Sequence, residues 1–249
     1  MTAAMKILAF NSSPRKEKGN TERILRPFLD GACQAGAEVE VVYLYDKKIL
    51  PCLGCFHCWL RTPGKCCQKD DMEALLKALT EADVAVYATP LYVFGMSAVM
   101  KLFLDRIVPL AEPFVELTPD GRSTHPMRGE KKNKGMVVVS NCGFHELSNF
   151  DELMAHFRAI AYHSRVEILG SLLRPEGEFL AVAEKLMPEK VGKVYEAARE
   201  AGRQVVTVGR VSPETERAVS AHLLSREKFL ESANAYFRSR IEAATGNPG

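Results

Sequence analysis

Apolar and polar positions follow two periods along the first 170 or so residues. Short unbroken apolar runs read as strands covered on both faces: Lys6–Phe10, Val39–Leu44, Val84–Ala88, Gly135–Val139 and Val166–Gly170. Between these runs, apolar residues recur at the spacing of one helical face. Ile24, Leu25, Phe28, Leu29, Ala32 and Cys33 predict a helix from Thr21 to near Gly36, with Cys33 as core packing. Met72, Leu75, Leu76 and Leu79 predict a second helix, capped by Asp70 and Asp71. Val99, Met100, Phe103, Leu104 and Ile107 predict a third from near Met96, and Leu153, Met154, Phe157, Ile160 and Ala161 a fourth. The alternation predicts an α/β fold with a five-stranded parallel sheet and helices on both of its faces.

Strand signals stop beyond Gly177. Val191, Val194 and Ala198, and later Phe229, Leu230, Ala233, Phe237 and Ile241, keep helical spacing, while Ser212 before Pro213 marks a helix start between them. The expected organisation is therefore a sheet domain over residues 1–175 and a helical C-terminal extension over residues 176–249, packed on that domain or on a partner subunit. The connection from Ala111 to Lys134 is long for a helix-to-strand link. With Phe114, Leu117 and Met127 around the turn Pro119-Asp120-Gly121, it is expected to lie over a ligand or across a subunit boundary.

Composition narrows the function. The chain has 249 residues, a formal net charge of +2 and 47% hydrophobic residues, enough apolar material for one sizeable core. Acids and bases are interspersed, and the basic runs Arg15–Lys18 and Arg128–Lys134 are short, which argues against a nucleic-acid partner. No apolar stretch approaches the roughly 18 residues that span a bilayer, and Met1–Met5 is too short for a signal sequence, so a cytoplasmic protein without membrane contact is expected. Seven cysteines, an odd and clustered set, point to thiol or metal chemistry rather than a disulfide framework.

The loop Asn11–Thr21, between the first strand and first helix, gathers hydroxyls of Ser12, Ser13 and Thr21, the Asn20 amide, the cations Arg15 and Lys16, and the free N–H groups of a helix start. Such a set can hold a phosphate, although an ordinary polar loop has the same composition. Its spacing is neither G-x-x-x-x-G-K-[ST] nor G-x-G-x-x-G. In a doubly wound sheet this loop meets those after strands three and four. Thr89-Pro90-Leu91-Tyr92-Val93-Phe94-Gly95-Met96 and Ser140-Asn141-Cys142-Gly143-Phe144 combine apolar surface with close-approach backbone, suited to a flat aromatic ring. Tyr92 and Phe94 could equally cap the core edge.

Taken together, Asn-Ser-Ser-Pro-Arg-Lys…Gly-Asn-Thr at 11–21, the cysteine loop ending in Asp70-Asp71-Met72, and Thr-Pro-Leu-Tyr…Gly-Met-Ser-Ala-Val-Met-Lys at 89–101 resemble the flavodoxin-like NAD(P)H-dependent FMN oxidoreductases and their iron–sulfur flavoprotein relatives. The resemblance covers roughly residues 5–172. It implies a flavodoxin-like sheet and bound FMN. The phosphate falls on Ser12, Ser13, Arg15, Asn20 and Thr21, and the ring on Pro90, Leu91, Tyr92, Phe94, Gly95, Asn141 and Gly143. The C-terminal helices depart from the smaller members.

Cys52-x2-Cys55-x2-Cys58-x7-Cys66 supplies four thiolates on one loop, which suits a 4Fe-4S cluster with one thiolate per iron and matches the compact motif of the iron–sulfur flavoproteins. Zinc or metal-free thiols would use the same residues, with His57 or Cys67 as spare donors. Trp59 reads as loop packing, Cys142 as an inert thiol and His145 as weak evidence for acid–base catalysis. The expected function is transfer of electrons from NAD(P)H through FMN to a quinone, a free flavin or another small acceptor, with no catalytic side chain. The alternative is a cluster-bearing carrier that exchanges electrons with a ferredoxin-like partner. A homodimer or homotetramer is expected.

Overall fold

A computed structural model of the chain describes residues 3–129 and 135–245. Five parallel strands form the sheet: β1 (Lys6–Asn11), β2 (Glu38–Tyr43), β3 (Val84–Pro90), β6 (Gly135–Asn141) and β7 (Glu167–Arg174). Their order is β2-β1-β3-β6-β7, the flavodoxin-like order with its switch point between β1 and β3. Three of the strands run a few residues past their apolar sequence runs, because the polar residues Asn11, Thr89, Ser140 and Asn141 at their carboxyl ends are buried and paired in register.

The period-2 alternation within each strand sorts the core into two layers. Ile7, Ala9, Val86, Ala88, Val137 and Val139 face α1 (Asn20–Gln34) and α7 (Pro188–Thr207). Leu8, Phe10, Ala85, Tyr87, Met136 and Val138 face α3 (Met72–Glu81), α4 (Ala98–Asp105) and α5 (Asp151–Ser164). The short helices α6 (Leu180–Leu186) and α8 (Pro213–Val219) add Leu180, Ala183 and Val219 to the first layer. The C-terminal helices thus continue the core of the sheet across residue 175. Helices α1 and α7 approach so closely that a Cβ on Gly31 would stand 1.8 Å from the Arg199 carbonyl oxygen, and one on Gly202 1.8 Å from that of Phe28.

One apolar reading needs correction. Cys33 is exposed, because it lies one step round α1 from the buried Ala32. On α9 (Arg226–Thr245) only Phe229 is buried, while Leu230, Phe237 and Ile241 face outward. Ser212 caps α8 as expected, its hydroxyl accepting from the Thr215 amide at 3.2 Å.

The connection after α4 forms a hairpin of β4 (Glu116–Leu117) and β5 (Ser123–Thr124). It does not lie over the loops at the carboxyl ends of the strands. Arg122 stacks 3.9 Å above the Tyr162 ring, Thr124 meets His163 at 3.0 Å, Glu116 pairs with Arg165, and His125 packs on Trp59 with ring centroids 4.8 Å apart. Tyr162 to Arg165 immediately precede β7, so the hairpin sits toward the amino ends of the strands. Residues 130–134 of this connection, and of the basic run within it, lie outside the described residues. Among the described residues, no helix is long and apolar enough to cross a membrane. The short helix α2 (His57–Leu60) lies within the cysteine loop.

Candidate functional site

The loops after β1, β3 and β6 meet at the carboxyl edge of the sheet. Ser12 is fully buried there and joins the first two: its amide donates to the Ala88 carbonyl at 2.9 Å, and its hydroxyl lies 2.8 Å from that of Ser97, the N-cap of α4. Thr21, also buried, donates its hydroxyl to Asn141 Oδ1 at 2.6 Å and so ties the first loop to the third. The Leu91 amide donates to the Asn141 carbonyl at 2.9 Å, which ties the third to the second. Ser12, Thr21 and Asn141 therefore brace the site, with the hydroxyls of Ser12 and Thr21 and the Oδ1 of Asn141 already engaged.

Other groups remain available. Helix α1 begins at Asn20 with no side-chain cap, so its first-turn amides point outward with the positive end of the helix dipole. Asn20 is buried, and its Nδ2 donor has no partner. A buried unpartnered donor costs about 1–3 kcal/mol, and beside an open helix start it fits an anion such as the FMN phosphate. Ser13 is buried with its hydroxyl accepting from the Arg15 amide, leaving its proton free to donate. Arg15 is half-exposed and pairs with Glu178 at 2.7 Å, so it lies at the rim.

The second and third loops present aromatic side chains at the carboxyl edge of the sheet. Tyr92, Phe94 and Phe144 are each about half exposed, and the Phe94 and Phe144 rings lie nearly parallel with centroids 6.4 Å apart. Val93 and Phe94 both hold left-handed backbone, with φ of 48° and 62°. That conformation is costly for a branched or aromatic residue and closes a tight turn, with Tyr92 and Gly95 exchanging backbone hydrogen bonds at 2.9 and 3.0 Å. The strained turn keeps the Tyr92 and Phe94 side chains off the core, against the reading of them as core-edge caps. Above Gly143 there is no atom within 4 Å of where a Cβ would stand. Pro90 is buried at the end of β3, and Leu91 is partly buried against the second layer.

The cysteine loop leaves β2 and returns to α3. Cys52 and Cys55 are exposed, Cys66 half-buried and Cys58 buried. Burial pushes the Cys58 thiol up, and negative charge on Cys66, Cys52 and Cys55 pushes it further. Cys55 is shifted down, chiefly by a hydrogen bond from the His57 amide. A single zinc with bonds of about 2.3 Å would draw the thiolates onto one atom, whereas a cube gives each thiolate its own iron.

Sequence reasoning missed what pins this loop. Arg106, at the C-cap of α4, is buried and makes a two-pronged pair with buried Asp70, at 2.7 and 3.1 Å. Its remaining donors reach the Leu50 carbonyl at 2.6 Å and Cys66 Sγ at 3.4 Å. Burial opposes the charge on Asp70, but hydrogen bonds from Arg106 and from the Leu50 and Met72 amides outweigh it and hold the carboxylate low. One guanidinium thus fixes both ends of the loop and one of its thiols. The only available signal was an arginine inside the apolar stretch Leu102–Leu110. Trp59 packs as expected, between Phe56 and His125, its indole N–H donating to the Val108 carbonyl at 3.2 Å.

The profile of the NADPH-dependent FMN reductases matches residues 5–160. An iron-sulfur flavoprotein of Methanocaldococcus jannaschii is 40% identical over 106 residues, 43% of this chain and 53% of that protein. One from Archaeoglobus fulgidus is 39% identical over 105 residues, 42% of this chain and 46% of that protein. The chain spans about half the length of the curated relatives it matches. Among solved structures, an FMN-dependent NADH-azoreductase from Bacillus anthracis in complex with FMN superposes with a TM-score of 0.60 at 17% identity, over 82% of this chain and all of that one. An NAD(P)H:quinone oxidoreductase from Methanothermobacter marburgensis gives 0.59 at 16% identity, over 82% and 98% of the two chains. At such identities the likeness is one of fold, and it agrees with the strand order. With a profile that covers four of the five sheet strands and most of α5, the chain belongs to the NADPH-dependent FMN reductase family.

Proposed function

We propose that this protein is an FMN-dependent oxidoreductase that takes electrons from NAD(P)H and passes them to a small acceptor such as a quinone or a free flavin. The observation that carries the reading is the buried, unpartnered Asn20 Nδ2 at the uncapped start of α1, at the switch point of the sheet. Asn20, Ser13 and the first-turn amides would hold the phosphate, and Arg15 would close over it by leaving Glu178. Tyr92, Phe94, Gly95 and Gly143 would border the ring, while Ser12, Thr21 and Asn141 hold the three loops at fixed spacing. When bound, FMN supplies hydride acceptance and onward release of electrons one or two at a time. The chain's own part is to orient the flavin and limit water around it. Partial burial pushes the Tyr92 phenol up, so it stays a neutral hydrogen-bond donor at the rim.

Asn20→Asp tests this. An acid at the first helical turn keeps the helix favourable, but it puts negative charge where the phosphate would sit. Loss of a charge-assisted contact worth about 1.5–3 kcal/mol should weaken FMN binding at least about tenfold. Riboflavin, which lacks the phosphate, should bind both proteins alike in the same fluorescence titration. Equal FMN affinity for the two proteins would move the phosphate elsewhere.

A second reading adds a 4Fe-4S cluster at Cys52, Cys55, Cys58 and Cys66. It is favoured by the four thiols that one loop supplies at Cys52, Cys55, Cys58 and Cys66 and by the likeness to iron-sulfur flavoproteins. A one-electron partner of ferredoxin type would then approach the exposed Cys52 and Cys55 side. In protein isolated without oxygen, Cys58→Ser should remove iron and sulfide and leave FMN bound. Less than about one iron per chain in the parent protein leaves the simple flavin oxidoreductase standing, since a cluster bonds its thiolates directly.

A further inference from the structure

On the far side of the third loop, three segments bring two imidazoles and a carboxylate together. His145 follows the loop after β6, Glu176 follows β7, and His222 lies between α8 and α9. His145 Nε2 and His222 Nδ1 each stand 3.4 Å from Glu176 Oε1, and the three atoms lie within 4.8 Å of one another. Glu176 is fully buried. Its Oε2 is engaged, accepting from Arg174 Nη2 at 3.1 Å and from the Leu223 amide at 2.9 Å. Its Oε1 is buried, points at the two rings, and has no hydrogen-bond partner.

We propose that His145, Glu176 and His222 bind a zinc ion. Two imidazole nitrogens and one carboxylate oxygen are a donor set that zinc takes, with a fourth position left for water. The half-exposed His222 side supplies that position. Arg174 and the Leu223 amide hold the carboxylate by its other oxygen, the outer support that orients a metal ligand. Arg174 is itself buried and fixed by donating to the carbonyls of Pro175, Val219 and Ala221 at 2.6, 2.9 and 2.7 Å. The two rings are stacked, 3.8 Å apart and 5° from parallel. A nitrogen lone pair lies in its ring plane, so His222 must swing out of the stack to coordinate, and it has solvent on that side. The ion would also replace the 3.3 Å contact of His145 Nε2 with the Leu224 carbonyl. Zinc there would clamp the C-terminal helices to the loop that carries Gly143, a link that FMN binding by the first loop neither requires nor supplies.

The cysteines are competing zinc ligands, so the test uses full-length protein with its accessible thiols blocked by N-ethylmaleimide. Titration with Zn2+ against a chromophoric chelator should show one zinc per chain, unaffected by Mg2+, which asks for oxygen donors. His222→Gln should weaken binding by about 100-fold, and the double variant His145→Gln, His222→Gln should abolish it. Zn2+ should raise the melting temperature of the parent protein and leave that of the double variant unchanged. Because His222 is half-exposed, its variant is expected to fold, and circular dichroism checks this. Failure of the blocked parent to bind zinc, or equal binding by the double variant, overturns the site whether or not FMN binds.

Discussion

At the scale of single residues, environment separates thiols that the sequence presents as alike. Cys142 lies at the start of the third loop with its sulfur 3.5 Å from the Phe144 carbonyl, and burial pushes its thiol up to about 11. Cys55 is exposed and shifted down by the His57 amide. In metal-free native protein at pH 8, iodoacetamide should therefore modify Cys55 readily and Cys142 only after unfolding, as peptide mass mapping would show. The raised Cys142 value also sets a sign for stability. An unfolded thiol ionises near pH 9 and the folded one near 11, so the folded state loses stability as pH rises from about 9 to about 11. Cys142→Ala should flatten the denaturation midpoint over that interval. Labelling of native Cys142 at the rate of Cys55 would show that the third loop opens. Arg106 and Arg174 illustrate the same dependence on surroundings: each is an ordinary cation in the sequence and a buried anchor in the fold.

Among the elements, what the sequence exposed was local and periodic. All five core strands and the helices α1, α3, α4, α5, α7 and α9 follow from apolar spacing, because a core strand or helix face repeats its chemistry every few residues. Tertiary placement followed only in part. Leu230, Phe237 and Ile241 have the spacing of a buried face yet lie exposed on α9, since periodicity marks an apolar stripe and not what covers it. Gly31 and Gly202 let α1 and α7 meet backbone to backbone, a fact about two elements far apart in sequence that no local pattern carries. The hairpin of β4 and β5 was missed because two-residue strands have no period, although Gly121, with φ +83°, does form the turn expected at Pro119-Asp120-Gly121. The three site loops were legible because they follow strands at a topological switch point. The braces at Ser97, Arg174 and Glu176, and at Arg106 on the cysteine loop, were not, since each partner lies more than thirty residues away or is backbone, except the adjacent Arg174–Glu176 pair.

For the whole molecule, the C-terminal helices divide into a part the fold needs and a part it does not. Helix α7 contributes Val191, Val194, Ala198, Ala201 and Val205 to the layer beneath α1. Burying a valine is worth about 1.5–3 kcal/mol, so its three valines alone account for roughly 5–9 kcal/mol, against a total stability of about 5–15 kcal/mol. The same helix also supports α1, whose start would hold the phosphate in the proposed FMN site. Helix α9 buries only Phe229, whose ring packs on His145 with centroids 5.7 Å apart, and adds the exposed Arg226–Glu146 pair. Two truncations should therefore behave differently. A chain ending at Met187 should lose cooperative thermal unfolding and FMN binding together, because Ile24, Leu25 and Phe28 would face water. One ending at Ser225 keeps α7, α8 and His222, and gives up about 3 kcal/mol at most, a fall in melting temperature below about 12 °C for a domain of this size. It should retain FMN at parental affinity. A chain ending at Met187 that melts cooperatively near the parental temperature would show that the sheet and helices α1 to α6 are a complete domain, and α7 an accessory to it.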